Sequence, residues 1–176
     1  TTVLSLMDRY PEFVYMQSQP LLYQFIKNSH PEIYQKIKEK ISSGQWEVNS
    51  PMWVEADCNI PSGESLVRQI LYGKLFAKEE FDIDSTVLWL PDVFGYSWAL
   101  PQILKKSGID TFVTSKISWN RYNQMPHDTF KWRGIDGTEI LTYLISTPEP
   151  HNYHADSFQN TYNGVIEPET CLLYTS

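Results

Sequence analysis

Short β-rich runs alternate with segments of helical periodicity along this chain, and that alternation leaves few folds open. "EFVYMQ", Glu12 to Gln17, reads as a strand, after which Leu21, Leu22, Phe25 and Ile26 recur at helical spacing. Pro31 opens a second helix carrying Ile33, Ile37 and Ile41, and Gly44 stands just past its end. "QWEV", Gln45 to Val48, is the next strand. A long helix follows, capped by Ser62 or Ser65, with Leu66, Ile70, Leu71 and Leu75 on one face. "STVLWLPD" is a strand, "LPQILKKSG" a helix ending at Gly108, and "TFVTSKI" a strand. "FKWRGIDGTEILTYLIST" then predicts a hairpin turning through Asp136-Gly137. Strands joined through helices pair in parallel, so the class is α/β with crossover helices.

Composition narrows the function. The 176 residues are 41% hydrophobic, enough for one core of ordinary domain size. A net charge of −7 with scattered Lys and Arg offers a phosphate backbone no basic track, so nucleic acid is excluded as a partner. Lys36 to Lys40, "KIKEK", is a solvated helix face. No apolar run reaches the length of a membrane span, and "TTVLSLMDRYPEF" lacks the layout of a signal peptide. Cys58 and Cys171 make neither a metal pair nor a disulfide framework. "GIDG", Gly134 to Gly137, lacks the residues and context of a phosphate loop. The eleven Tyr, eight Phe and six Trp supply faces that stack on sugars as readily as they fill a core.

One acid stands out. Asp92 follows Val87, Leu88, Trp89 and Leu90 at a strand's carboxyl end, where parallel sheets gather their ligand groups, and Phe94, Gly95 and Tyr96 come next. An acid here can also cap the following helix. That helix is expected only from near Ser97 or Pro101, which leaves Asp92 in the loop, free to face a cleft. A carboxylate in a cleft binds a cation, transfers a proton or attacks an anomeric carbon, and spacing leaves all three open. No His lies within four residues, so no helical zinc motif is formed locally.

The connection "NSPMWVEADCNIPSG", Asn49 to Gly63, is long enough to be functional, and Trp53, Glu55 and Asp57 form a second candidate cluster within it. Trp53 and Asp57 are taken as substrate-binding candidates. Their structural alternatives are a packed ring and a carboxylate bonded to the loop backbone. His151 and His154, next to Pro150, read as an exposed loop in preference to a metal pair.

"WLPDVFGYSWALPQILKKSGIDTFVTSKISWN" together with "GQWEVNSPMWVEADCNIPSGESLVRQILYGK" resembles the glycoside hydrolase family 38 α-mannosidases, in their microbial and cytosolic-type branch. The resemblance covers nearly all of residues 1–170. It implies a (β/α) barrel of the seven-stranded type, of which this chain is part, and hydrolysis of terminal α-mannosides of oligosaccharides or N-glycan-derived glycans with retention. It makes Asp92 both the nucleophile and a ligand of one catalytic zinc ion, and places Phe94 and Lys116 in the sugar pocket. The remaining zinc ligands and the acid/base carboxylate are expected outside this segment, so the segment alone is expected to be inactive. A cytoplasmic location follows from the branch, while homo-oligomerisation is left open. The alternatives are another metal-dependent α/β-barrel carbohydrate hydrolase or deacetylase, and a non-catalytic carbohydrate-binding or structural domain. The missing initiator Met predicts that the natural N-terminus lies upstream. Cys171 to Ser176, "CLLYTS", lacks periodic continuation and is expected to be a cloning or sequencing scar, leaving 1–170 as the catalytic-domain segment.

Overall fold

The computed structural model describes residues 2–49, 51–115 and 126–145. In chain order the elements are α1 (Thr2–Arg9), β1 (Tyr15–Gln17), α2 (Pro20–Ser29), α3 (Pro31–Ser42), β2 (Trp46–Val48) and α4 (Gly63–Phe81). Then come β3 (Val87–Trp89), α5 (Leu100–Lys106), β4 (Thr111–Thr114), β5 (Thr129–Arg133) and β6 (Glu139–Leu144). Proline opens α2 and α3 at a position whose N–H needs no helical partner. Ser62 caps α4 by accepting from the Ser65 amide at 3.3 Å.

The strands form two sheets. β1 and β2 pair in parallel, with Tyr15 opposite Trp46. The second sheet has the order β3-β4-β6-β5, with β3, β4 and β6 parallel and β5 antiparallel at the edge. The β5–β6 turn falls where Asp136-Gly137 predicts it: Gly137 has φ +84 and Asp136 Oδ1 accepts the Thr138 amide at 3.0 Å. Largely parallel pairing with crossover helices is therefore observed. Between β2 and β3 the chain makes a cleft of about 450 Å³, lined by Trp46, Val48, Asn49, Ser85 and Val87 among others, in place of ladder bonds.

Two cores hold these layers. Leu66 and Ile70 of α4 with Leu100 and Leu104 of α5 cover Leu88, Phe112 and Ile140 on the three parallel strands. Tyr23, Tyr34, Ile37 and Phe76 enclose Trp46 and Val48 of β2. The Trp46 indole donates to the Tyr23 hydroxyl at 2.8 Å, so the buried N–H keeps a partner.

Three helical expectations need correction. α1 was not expected; it is eight residues long and buries Leu4 and Met7. Leu71 and Leu75 do not share the buried face of α4, being 51% and 45% exposed. That face runs through Leu66, Ile70, Gly73 and Ala77, and Gly73 belongs to it because the Pro51–Met52 backbone lies against the helix there. In α2 the buried ring is Tyr23, whereas Leu22 and Phe25 are 40% and 55% exposed.

Candidate active site

β2 and β3 each release the chain at their carboxyl ends into a long connection, residues 49–62 and 90–99. The two connections are bonded into one unit. Cys58 and Tyr96 form an isolated parallel bridge, the Ser97 amide donates to the Cys58 carbonyl at 3.1 Å, and Asn59 Nδ2 donates to the Phe94 carbonyl at 3.0 Å. Gly95 makes this close approach feasible. Its φ is +106, and a β-carbon there would lie 2.6 Å from Asn59 Nδ2.

Asp92 occupies the turn directly after β3 and is exposed. It does not cap α5: the helix starts at Leu100 with Ala99 as its N-cap residue, and the side chain bonded there is Ser97, whose Oγ accepts the Ala99 amide at 3.3 Å. Hydroxyl groups hold the backbone around Asp92 on both sides. Ser115 Oγ donates to the Pro91 carbonyl at 2.7 Å. The Tyr96 hydroxyl reaches the Leu90 carbonyl at 2.8 Å, the Val93 carbonyl at 3.1 Å and the Thr114 hydroxyl. A phenol has one proton, which the two carbonyls share, so Thr114 is the donor in the last contact. Thr114 and Ser115 are 0% and 6% exposed, at the end of the neighbouring strand β4.

Tyr96 also registers the charge of the site. Burial pushes its phenol far above the ordinary 10.0, the bond from Thr114 works against that, and the negative fields of Asp92 and Glu55 add to the rise. The hydroxyl is thus neutral and available as a donor at any physiological pH. Burial, with the Asp57 charge, likewise pushes the Cys58 thiol up to about 12, which makes it an inert packing residue.

The other expected site residues have different surroundings. Phe94, beside Asp92, presents a ring that is 73% exposed. Trp53 packs edge-on against Phe76 at 5.7 Å between centroids, and its backbone bonds Gln69 and Leu21. Asp57 Oδ1 accepts the amides of Asn59 and Ile60 at 2.8 and 2.9 Å, which holds its carboxyl below the usual range. Both of the structural alternatives for this loop are therefore realised. Glu55 accepts the Ser18 hydroxyl at 2.7 Å, tying the loop to the end of β1. Lys116, His151, His154 and Cys171 to Ser176 lie outside the described residues. The braces Tyr96, Thr114, Ser115 and Asn59 were not expected from sequence. The Asp-x-Asn of Asp57–Asn59 and the glycine after Phe94 were the readable signs of a tight loop contact.

Parallel strands that deliver an exposed carboxylate and an exposed aromatic ring into one bonded pair of loops have the layout of an α/β enzyme site. Residues 1–174 match the glycosyl hydrolases family 38 N-terminal domain, and the chain belongs to that family. It is 47% identical over 156 residues to alpha-mannosidase G of Dictyostelium discoideum, covering 89% of this chain and 14% of that protein. It is 46% identical over 154 residues to an alpha-mannosidase of Saccharomyces cerevisiae, covering 87% of this chain and 14% of that one. The crystal structure of an alpha-mannosidase from Enterococcus faecalis V583 shares the fold, with TM-score 0.71 and 23% identity over 81% of this chain and 16% of that chain. This chain is a glycoside hydrolase segment by family, and it spans 14% of the length of these curated relatives.

Proposed function

We propose that this chain supplies the nucleophile-bearing part of a seven-stranded α/β barrel in a retaining α-mannosidase acting on mannose-containing oligosaccharides. The observation that carries the reading is the place of Asp92: exposed after β3, braced by its neighbours and not engaged in capping α5. In the retaining reaction a carboxylate oxygen of Asp92 bonds to the anomeric carbon as the glycosidic bond breaks. The leaving oxygen takes a proton from a second carboxyl group about 5–5.5 Å from the first. Water then cleaves the ester, returning its proton to that group. Phe94 is the ring for the sugar's apolar face, and Lys116 is the proposed basic residue near the nucleophile.

Among the described residues no three His, Cys, Asp or Glu side chains converge into a metal site. The zinc that the family resemblance implies would take Asp92 as one ligand and need others from outside the segment, and no step above passes through it. No helix among the described residues is long and apolar enough to cross a membrane.

Asp92→Asn in the complete enzyme tests the reading. Asn keeps the shape and removes the attacking charge, so turnover on an aryl α-mannoside should fall by several orders of magnitude with the fold intact. Near wild-type turnover would refute it.

A further inference from the structure

We infer that Tyr96 is a positioning residue for Asp92, acting through the backbone of the turn that carries it; this rests on the reading of Asp92 as the nucleophile. The Tyr96 hydroxyl reaches the carbonyls of Leu90 and Val93, which bracket Pro91 and Asp92. It is itself anchored to Thr114, a fully buried residue of β4, and its ring stands edge-on to Phe112 of the same strand at 4.7 Å. Ser115, the next residue, takes the Pro91 carbonyl between them. The turn after β3 is therefore held at three carbonyls, two by the Tyr96 hydroxyl anchored on Thr114 of β4 and one by Ser115 just past that strand. Without those bonds the short turn could rotate its peptides and carry the Asp92 carboxylate away from the line of attack. Tyr96 also joins this turn to the β2–α4 connection through its bridge to Cys58. One side chain thus sets the nucleophile's turn against both the neighbouring strand and the opposite loop.

The position of Tyr96 explains why a tyrosine serves better than phenylalanine here. Phenylalanine would keep the packing on Phe112 and lose every one of the three hydroxyl contacts. A serine or threonine at this position would be too short to reach from the loop to both carbonyls and to β4.

The test uses the complete family 38 enzyme containing this segment. Tyr96→Phe should lower kcat roughly 10- to 100-fold, the cost of a small misplacement of a reacting group, with KM little changed. The rate of covalent inactivation by a 5-fluoro mannosyl fluoride should fall in parallel. Thr114→Val, which removes the anchor and keeps the size, should show a smaller loss in the same direction, since the bonds to the Leu90 and Val93 carbonyls remain. Thr114→Ser, which retains the hydroxyl, should recover most of that loss. The double variant Tyr96→Phe/Thr114→Val should be little slower than Tyr96→Phe alone, because the Tyr96–Thr114 contact is already lost with the Tyr96 hydroxyl. A purely structural role predicts lowered thermal stability with kcat and inactivation rate at wild-type values in the folded protein, and that result overturns the proposal. If Tyr96→Phe does not fold, the Thr114→Val and Thr114→Ser pair decides by the same readouts. An inactive Asp92→Asn enzyme beside a fully active Tyr96→Phe enzyme refutes the positioning role alone, whereas an active Asp92→Asn enzyme refutes the nucleophile reading as well.

Discussion

Asn59 stands where a side chain on residue 95 would have to go: its Nδ2 lies 2.6 Å from the place of a β-carbon on Gly95, while donating to the Phe94 carbonyl at 3.0 Å. The two connections at the carboxyl ends of β2 and β3 are thus locked at a point that only glycine permits, three residues past Asp92.

Gly95→Ala is expected to destabilise the protein by about 1–3 kcal/mol, since a β-carbon at φ +106 is strained and also displaces the Asn59 amide. Chemical denaturation checks this. Pairing the change with Asn59→Gly should relieve the clash and leave the backbone strain, so only part of the loss should return. A Gly95→Ala protein as stable as the parent would show that the loop junction yields freely.

Gly73 tests the corrected face of α4. Ala at an exposed helix position usually gains up to about 1 kcal/mol over Gly. Here the added carbon would meet the Pro51 carbonyl oxygen at 2.6 Å and the Met52 carbonyl carbon at 2.6 Å, both backbone atoms. Gly73→Ala should therefore lose about 1–2 kcal/mol, overpacking outweighing propensity. A gain in thermal midpoint would mean that the 51–52 backbone does not rest on α4.

Glu80 on α4 supplies a pH dependence. Burial raises its pKa, but the Lys27 ammonium, the Tyr34 hydroxyl at 2.9 Å and Lys38 at 3.7 Å together outweigh that and hold it below the ordinary 4.5. A carboxyl depressed on folding stabilises above its unfolded value, and that contribution disappears as pH falls through the folded value. The gap in thermal midpoint between the parent and Glu80→Gln should be constant above the ordinary Glu range and shrink as the solution is acidified below it. A gap that persists unchanged into strong acid would show that the charge of Glu80 contributes nothing.

Much of the architecture was readable because period-2 and period-3.6 patterns are local. "VLWL", "TFVT" and "EILTYL" became strands β3, β4 and β6, and Asp136-Gly137 became the β5–β6 turn. Helix faces were read less well, since hydrophobicity does not reveal which side a neighbour covers: Leu71 and Leu75 lost their place to Gly73 and Ala77. The place of Asp92 in the turn after β3 was legible from the end of the apolar run, while the capping alternative was removed only by Ala99 standing as the N-cap of α5. The bond between Tyr96 and Thr114 joins residues 18 apart and leaves no periodic trace, so the brace beneath the candidate nucleophile had no sequence signal.

Covalent trapping of the complete enzyme tests the central claim most directly. A 5-fluoro mannosyl fluoride forms the glycosyl-enzyme quickly and loses it slowly, so the nucleophile stays labelled through proteolysis and peptide mass analysis. One added fluoromannosyl group is expected, located at Asp92 in the peptide that contains Trp89 to Leu104. A label on another carboxylate, or inhibition of a fully active enzyme with no covalent adduct, would contradict it.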